Sequence, residues 1–518
     1  MTTDQDTTIY RILKISGKVM GIIGLLILVL ALLQVDLPKP GITLTLSLLF
    51  IGIGVAIYTI GRYQPESAGI KNDHNWHFSL TSRGVWGYML GIVLTGFYII
   101  LYWYPSYLGF TEGDQSNTGL VAFFDPLSQF LKGEPASQWF VYGALYTMAI
   151  LAFGIKFIWK YRHNMYQIIR TISVMFFQLG FAFLIPEILL RLNYPYNDFK
   201  NMWPLNYYFF DKWNVDSMIS SGTLGMFMLV FGVALIFVIS PLLTYFYGKR
   251  WYCSWVCGCG GLAETAGDPF RHLSDKSLKA WRLERWLVHG VLAFSVVMTA
   301  AVIFSYLNSN PEQYWLQSNV LIGIITIVLG GFIALTLFAK KITSNLNQKE
   351  RYIISGVAGV VLILVLVNGF SGRSLFFIDA EELRKTYGFL IGATFSGVIG
   401  VGFYPIFGSR VWCRFGCPMA AILGIQQNWF SRFRITTNGG QCISCGNCST
   451  YCEMGIDVRA YAQKGQNIVR ASCVGCGICA AVCPRGVLKL ENGSVDVFEK
   501  TKKKKAVHVS EENIGLIS

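Results

Sequence analysis

Long apolar runs separated by short polar segments dominate the chain up to Phe407. About 20 apolar residues in an α-helix span the hydrocarbon core of a bilayer, so each run predicts a transmembrane helix. The ten predicted spans are residues 19–33, 42–60, 85–104, 139–159, 172–190, 224–247, 287–307, 320–339, 353–367 and 387–407. We therefore expect an all-α polytopic membrane domain of about ten transmembrane helices.

Composition and charge agree with this prediction. Charged residues make up 14% of the 518 residues and hydrophobic residues 53%, whereas soluble domains carry about 25% charged residues. The formal net charge is +14, an excess that in a membrane protein reports mostly on cytoplasmic loops. The sequence has no base-stacking module and no basic reading helix, so we expect no nucleic-acid partner.

Basic residues recur in every second loop and indicate the orientation. Loops predicted to be cytoplasmic include Arg11, Arg62, Arg162, Arg271 and Arg414, while the alternate loops are acidic, with residues such as Asp125, Asp198 and Glu312. Both termini are then expected on the cytoplasmic side of a bacterial inner membrane. The apolar run 19–33 is interpreted as the first anchor and not as a cleaved signal peptide, because it is long and has no clear small-residue cleavage site after it.

Two cysteine runs follow the last predicted span, "QCISCGNCSTYC" and "SCVGCGICAAVCP". Each has the C-x2-C-x2-C-x3-C spacing of bacterial dicluster ferredoxins, in which the fourth cysteine binds the other cluster. One [4Fe–4S] cluster is expected on Cys442, Cys445, Cys448 and Cys483, and the other on Cys473, Cys476, Cys479 and Cys452. Two complete runs make zinc binding or structural cysteines a poor alternative. Glu453 stands where the second run has Pro484, so the turn after Cys452 is expected to differ.

A second cysteine pattern is repeated without a gap, as "GKRWYCSWVC" from Gly248 and "GSRVWCRFGC" from Gly408. Three hypotheses remain open for Cys253, Cys257, Cys413 and Cys417: a further iron–sulfur cluster, a pair of redox-active dithiols, or structural cysteines. The matching neighbours argue against the structural hypothesis. In the first hypothesis the arginines of both repeats, Arg250 and Arg410, offset the negative charge of a cluster, and Cys259 is a spare thiol.

Residues 224–490, with "RWYCSWVC", "RVWCRFGCP" and the two ferredoxin runs, resemble the NosR/NapH-type membrane-bound polyferredoxins, with CcoG as a more distant relative. The resemblance implies electron transfer between the quinone pool, or a flavin partner, and a terminal acceptor system. It also implies a protein redox partner or reductase complex. This chain lacks a large outer flavin domain of the NosR kind and carries Gly258 where the family often has proline.

Three functions are therefore possible. The first is an electron carrier, which would suit a subunit of a quinol-linked oxidoreductase. The second is a maturation factor that reduces metal or thiol groups of another enzyme, and the third is a redox sensor.

Four regions are expected, namely a five-span part of unknown role (1–223), a membrane electron-transfer core (224–432), an α+β dicluster ferredoxin domain (433–495) and a basic cytoplasmic tail (496–518).

Two features, one inside the fifth predicted span and one just after it, invite interpretation. The aromatic segment 193–216 is interpreted as an interfacial belt, with a docking surface or a lid over a quinone pocket as the alternative. Glu187 is interpreted as the partner of Arg191 one helical turn later, and the alternative is uptake of a quinol proton.

Overall fold

The computed structural model of the chain is mostly helical. It describes residues 4–65, 83–111, 116–309, 311–338, 348–371, 380–493, 507–510 and 513–516. The lysine run at residues 500–505, on which the prediction of a basic tail depends, lies outside the described residues.

Eight helical segments among the described residues are long and apolar enough to cross a membrane. They are Thr8–Leu32, Pro40–Tyr63, Val85–Trp103, Gln138–Lys160, Met165–Arg191, Gly222–Tyr247, Leu278–Ser309 and Ser318–Phe338. Each overlaps one of the first eight predicted spans. Large apolar side chains on them, such as Ile92 and Ile327, are 72% and 75% exposed, as lipid-facing positions would be. The chain is thus a multi-pass membrane protein.

The last two predicted spans look different. The ninth coincides with a shorter apolar stretch, Arg351–Val367, inside a longer helix. In the tenth, the charged helix Ala380–Tyr387 leads into a π-helical segment, Gly388–Ile399, and a turn precedes the short helix Tyr404–Phe407. A count of ten spans therefore stays a prediction.

The helices of the membrane part are numbered in chain order. They are α1 (Asp4–Leu32), α2 (Pro40–Tyr63), α3 (Val85–Trp103), α4 (Gly119–Lys132), α5 (Gln138–Lys160), α6 (Met165–Phe176), α7 (Ile185–Arg191), α8 (Lys212–Ser220), α9 (Gly222–Ala234), α10 (Ser240–Tyr247), α11 (Arg250–Cys253), α12 (Gly258–Thr265), α13 (Leu278–Ser309), α14 (Ser318–Phe338), α15 (Gln348–Ser371), α16 (Ala380–Tyr387), α17 (Tyr404–Phe407) and α18 (Pro418–Phe430). Among the described residues, four π-helical segments interrupt them, at Phe177–Leu184, Leu235–Ile239, Gly388–Ile399 and Trp412–Gly416. Such segments occur frequently at functional sites.

The ferredoxin region is a small α+β unit. Its strands β1 (Arg434–Thr437) and β2 (Leu488–Glu491) pair antiparallel, with Arg434 opposite Glu491. Between them lie three short helices, α19 (Asn447–Thr450), α20 (Val458–Gln463) and α21 (Ile478–Ala481). In the expected tail, β3 (Val507–Ser510) and β4 (Asn513–Leu516) form a separate antiparallel pair.

One apolar core joins the membrane helices to the ferredoxin region. Met228 of α9, Leu423 of α18 and Ile435 of β1 are 0%, 0% and 3% exposed and belong to the same buried cluster, which also contains the cysteines of both patterns. The ferredoxin unit is therefore packed into the membrane part and not merely tethered to it.

The aromatic segment 193–216 is partly exposed and partly buried: Tyr196 and Trp213 are 51% and 60% exposed. Met202 and Phe209 are each 3% exposed and belong to the same buried core. The Glu187–Arg191 pair is not formed: the Arg191 guanidinium donates to the Phe130 carbonyl, and Oε2 of the buried Glu187 has no hydrogen-bond partner among the described residues. The interpretation of Glu187 as the partner of Arg191 is therefore wrong, whereas the interfacial aromatic belt stays a prediction.

Candidate iron–sulfur centres

Both copies of the repeated motif use the same local fold. A helix ends at Gly248 or Gly408, whose φ angles of 65° and 94° favour glycine over residues with a side chain. A Cβ atom there would also come within 2.6 Å of Gln427 or Ser274. The chain then makes a short helical turn that carries the first cysteine and begins a new helix at the second, so the repeat in sequence is also a repeat in structure.

The four repeated cysteines lie together. Cys253, Cys257, Cys413 and Cys417 are 5%, 7%, 7% and 6% exposed and share one buried cluster. A tetrahedral ion with metal–sulfur bonds of about 2.3 Å holds its sulfurs about 3.8 Å apart. Among the described residues, which include all thirteen cysteines, no three thiols lie within 4.8 Å of one another. The sulfur atoms are therefore too far apart to bind a single metal ion. A polynuclear cluster and redox-active dithiols are the functional hypotheses that this spacing leaves.

The charges around these thiols differ from the expected pair of arginines. Arg410 is in the expected place, with its Nη1 3.5 Å from the Cys413 sulfur and donating to the Cys253 carbonyl at 3.2 Å. The expectation for Arg250 is wrong, because its guanidinium donates to Asn492 at 2.8 Å and lies over the Phe433 ring. The buried Lys249, its neighbour in sequence, is the cation that acts on Cys253 instead.

Cys259 is closer to the site than a spare thiol would be. It donates a hydrogen bond to Cys257, and this bond is the main reason why the pKa of Cys257 falls to about 6. Burial, by contrast, raises the pKa of Cys253 to about 12. The thiols therefore have unequal proton affinities, and those with raised pKa values need a metal to become thiolates at neutral pH.

The eight ferredoxin cysteines separate into two groups, as expected from their spacing. Cys442, Cys445, Cys448 and Cys483 line one small pocket. Burial, together with smaller effects of the other three thiols of its group, raises the pKa of Cys448 to about 11. Burial likewise raises the pKa of Cys479, and the thiols of Cys476, Cys473 and Cys452 act on it in the same direction. Soft thiols crowded in this way fit iron–sulfur clusters.

The two groups differ in their surroundings. In the first group, Cys445 is exposed. The loop of the second group is held by the membrane part: Tyr166 donates to the Gly475 carbonyl at 2.8 Å, and Gln167 donates to the Cys476 carbonyl at 2.9 Å. Further donors to this loop are Ser254, which bonds the Val474 carbonyl at 2.9 Å, and Gln427, which bonds the Cys473 carbonyl at 2.9 Å. The second group therefore faces the repeated motif and the first faces outward.

A buried ionic network fills the space between the second group and the repeated motif. It consists of Arg170, Arg271, Arg410, Glu264 and Glu453, none more than 2% exposed at the side chain. Arg170 and Arg410 both pair with Glu264, and Arg271 lies 2.7 Å from Glu453. The Arg410–Glu453 contact, at 3.0 Å, is an ion pair without hydrogen-bond alignment. Three arginines against two glutamates leave one positive charge.

This network reaches both sulfur sites. The Cys476 sulfur and the carboxylates of Glu264 and Glu453 lie within 4.8 Å of one another, and Arg410 contacts the Cys413 sulfur at its other end. Burial alone would raise the pKa of Glu453, but Arg271 and Arg410 hold it below its ordinary value. Glu453 is therefore an ionised counterion of the arginines, and Glu264 pairs with Arg170 and Arg410.

Sequence reasoning found the cysteines but missed most of this network. Glu453 stands out in the sequence as a departure from proline that adds a carboxylate able to lower a nearby cluster potential, whereas the sequence does not single out Glu264, Arg170 and Arg271 as site residues. The available signal was charge within otherwise apolar surroundings, since ionisable residues in such places are commonly functional.

Comparison with known proteins identifies the cysteine regions. A family profile described as "4Fe-4S dicluster domain" matches residues 441–488, and one described as "4Fe-4S binding domain" matches residues 229–277 and again 390–436. The Escherichia coli (strain K12) protein with the name "Putative electron transport protein YccM" is 23% identical over 229 residues, which are 44% of this chain. These residues cover 48% of that relative, so the match spans about half its length. No solved structure matches the chain.

The profile matches confirm a dicluster ferredoxin region with [4Fe–4S] clusters in a membrane protein. The second profile covers both copies of the repeated motif, so the repeat itself has the character of an iron–sulfur sequence. The NosR/NapH family is not specifically matched.

Proposed function

We propose that the protein carries electrons between a redox partner in the bacterial inner membrane, the quinone pool or a membrane protein, and a protein partner that docks at the ferredoxin region. The observation that carries this proposal is that Arg410 connects the two sulfur sites: it lies 3.5 Å from the Cys413 sulfur and 3.0 Å from Glu453, whose carboxylate lies within 4.8 Å of the Cys476 sulfur. A short, buried connection of this kind suits electron transfer between two buried centres. The electron-transport name of the relative supports the same class of function.

Three groups of ligands are assigned in this proposal. Cys442, Cys445, Cys448 and Cys483 hold an outer [4Fe–4S] cluster; Cys452, Cys473, Cys476 and Cys479 hold an inner one; and Cys253, Cys257, Cys413 and Cys417 hold a third iron–sulfur cluster. Such clusters supply one-electron chemistry when bound, with potentials set by charge, hydrogen bonds and exposure. The exposed Cys445 favours the outer group as the place of exchange with a soluble partner.

The four predicted regions keep their boundaries in this proposal, and the first of them acquires a role. Residues 1–223 include Tyr166, Gln167 and Arg170 of α6, which hold the inner cysteine loop and one end of the ionic network. The ferredoxin region 433–495 is placed on the cytoplasmic side because the loops of that side are rich in lysine and arginine. The region 496–518 remains a proposed cytoplasmic tail.

Iron and acid-labile sulfide per chain, measured after anaerobic purification, test the third cluster. Two cubanes account for about eight iron atoms, so we expect about ten to twelve in the wild type and about eight in the double variant Cys253→Ser/Cys413→Ser. Cys259→Ser is the matched control, because it removes a neighbouring thiol outside the repeat. About eight iron atoms in both the wild type and the double variant would refute the third cluster.

A second candidate function follows from the Cys257–Cys259 contact. A buried thiol pair of this kind favours dithiol chemistry, as in a maturation factor that passes electrons to a metal ion or thiol of another enzyme. In that case the wild type and the double variant Cys253→Ser/Cys413→Ser both carry about eight iron atoms. A strain without the protein then keeps its respiration rate but contains a metal-deficient partner enzyme. Changes in transcription without either defect would instead favour a redox sensor.

A further inference from the structure

The exposed charges of the ferredoxin region are all of one sign. In its described part, residues 433–493, the charged side chains that are exposed belong to Arg459, Lys464, Arg485 and Lys489. The acidic side chains of this part are buried or half-buried. A protein that approaches this region from solution therefore meets a positive surface.

The three carboxylates of this part already have partners within the protein. Glu453 belongs to the buried ionic network. Asp457 accepts a hydrogen bond from the Ser449 hydroxyl at 2.7 Å. Glu491 lies opposite Arg434 in the antiparallel strand pair and acts on its charge. These carboxylates are therefore not the counterions of the exposed cations.

Two of the exposed cations lie at the outer cysteine group. Arg459 and Arg485 line the same pocket as the exposed Cys445. Neither guanidinium forms a hydrogen bond or an ion pair among the described residues. Because a guanidinium presents its N–H donors in a planar fork that matches a carboxylate, this pair is suited to bind carboxylates of another molecule.

Apolar side chains lie beside the two arginines. Ile443 is 54% exposed and lines the pocket, as does the exposed Pro484. Protein interfaces commonly have an apolar centre within a polar rim, and arginine is enriched in them. The surroundings of Cys445 thus combine an exposed thiol, an apolar patch and two cations without partners among the described residues.

This face of the ferredoxin region is turned away from the membrane helices. The hydrogen bonds of its pocket stay within the region: Ser444 accepts from Gln463 at 2.8 Å, and the Cys483 sulfur accepts from the Val487 N–H at 3.4 Å. A Cβ atom on Gly486 would meet nothing within 4 Å. The inner cysteine loop, by contrast, makes the contacts with α6. This placement favours a soluble partner over the lipid surface.

We propose that Arg459, Arg485 and Ile443 form the docking surface for a soluble one-electron carrier protein whose redox group lies within an acidic face. This inference rests on the proposed electron-transfer function and names the chemical character of its soluble partner. In each encounter one electron passes between the carrier's redox group and the outer cluster, so that one is oxidised and the other reduced, and no bond or proton is exchanged. Opposite charges speed such encounters and fix their orientation, and interfaces between redox proteins are small and short-lived.

The test measures binding of a plant-type [2Fe–2S] ferredoxin, an acidic one-electron carrier, to the purified, cluster-containing protein in phosphatidylcholine nanodiscs. Binding is the first readout because loss of an arginine beside the cluster also changes the cluster potential. In about 20 mM salt we expect Arg459→Gln/Arg485→Gln to weaken binding about tenfold, and Arg459→Lys/Arg485→Lys to weaken it by less than about threefold. At about 0.5 M salt these differences should disappear, because salt screens exposed charges.

Lys489→Gln is the matched control. It removes one positive charge from an exposed side chain of β2, and successive side chains of a strand point to opposite faces, so Lys489 points away from the face on which its neighbour Leu488 lines the pocket. We expect it to bind the ferredoxin within about twofold of the wild type. Cytochrome c, a basic carrier, should not bind more weakly to Arg459→Gln/Arg485→Gln than to the wild type. Iron content and reduction by dithionite must match the wild type in every variant, which shows that the clusters are intact.

Three results would overturn the docking surface: wild-type protein that does not bind the ferredoxin, a double glutamine variant that binds it normally, or an equal loss in Lys489→Gln. Each would leave the electron-transfer function standing if a carrier still exchanges electrons with the clusters. Clusters that dithionite reduces but that exchange electrons with neither carrier would count against that function itself.

Hydrogen–deuterium exchange locates the bound carrier. We expect the ferredoxin to slow amide exchange in residues 441–448 and 484–488. Exchange there that is slowed by phosphatidylglycerol in the nanodisc, and not by the ferredoxin, would assign this face to the lipid surface and would also overturn the proposal.

Discussion

Replacing Glu453 by glutamine should raise the reduction potential of the inner ferredoxin cluster. Glu453 is 0% exposed, follows the proposed ligand Cys452 in sequence and places its carboxylate within 4.8 Å of the Cys476 sulfur. A negative charge so close to a centre that takes up an electron disfavours reduction. Removing the charge while keeping the shape of the side chain therefore favours the reduced state.

The size of the shift follows from Coulomb's law. Two unit charges 4.8 Å apart interact by about 3.5 kcal/mol at an effective dielectric constant of about 20. One electron moved through 100 mV corresponds to about 2.3 kcal/mol, so an interaction of about 3.5 kcal/mol corresponds to a shift in potential of about 150 mV. The added electron is spread over iron and sulfide atoms beyond the Cys476 sulfur, and we therefore expect a rise of roughly 50–100 mV.

The assay is a redox titration of both ferredoxin clusters followed by electron paramagnetic resonance. Glu284→Gln is the matched control, because Glu284 forms a similarly buried pair with Arg414 at 2.6 Å but is not in the group around Cys476. The inner cluster should shift in Glu453→Gln alone, with the outer cluster much less affected. An unchanged inner potential, or an equal shift in Glu284→Gln, would refute the assignment of this carboxylate as a tuning group.

Two further predictions concern stability. Gly408→Ala should lower the melting temperature of the purified protein by several degrees. The φ angle of 94° at this position is strained for alanine, and the added Cβ atom would lie 2.6 Å from Ser274 Oγ. An unchanged melting temperature would contradict this prediction. Asp268→Asn should destabilise the protein by about 3–5 kcal/mol at neutral pH, because it leaves Lys160 and Arg271 without their shared carboxylate. Burial opposes ionisation of Asp268, but the two cations hold its folded pKa below the ordinary value of about 4, so its contribution is present above about pH 4 and is lost as the pH falls further. Melting curves of both proteins should then converge on acidification, and a gap that is constant down to about pH 2 would count against the ion pairs.

Local patterns in the sequence predicted the parts of the structure that depend on local spacing. The C-x2-C-x2-C-x3-C runs predicted two groups of thiols because three of the four cysteines in each group share one loop. The apolar runs predicted the first eight spans because helix length and hydrophobicity are enough to mark a bilayer helix. The segment 387–407 was harder, since its π-helical part and the turn before Tyr404 depend on packing against other elements.

Features that depend on distant partners were not predictable in this way. Arg170, Glu264, Arg410 and Glu453 are separated by up to hundreds of residues in sequence, and no periodic pattern links them. The alignment of Arg250 with Arg410 was misleading for the same reason: equal places in a repeat do not guarantee equal surroundings. The ferredoxin region packs against one copy of the motif at Arg250 and not in the same way against the other.

The two copies of the repeated motif place their arginines differently, and this difference links the repeated cysteines to the ferredoxin cysteines. Arg250 lies against Gly475 of the inner cysteine loop, whereas Arg410 points back to Cys413 and is paired with Glu453. A change of charge at either site is therefore felt by the same guanidinium. Linkage between two equilibria is reciprocal. If an electron at one site changes the electron affinity of the other site, an electron at the second site therefore changes the affinity of the first by the same free energy. In the proposed arrangement of clusters, Arg410 therefore couples the potential of the inner ferredoxin cluster to that of the cluster at the repeated motif.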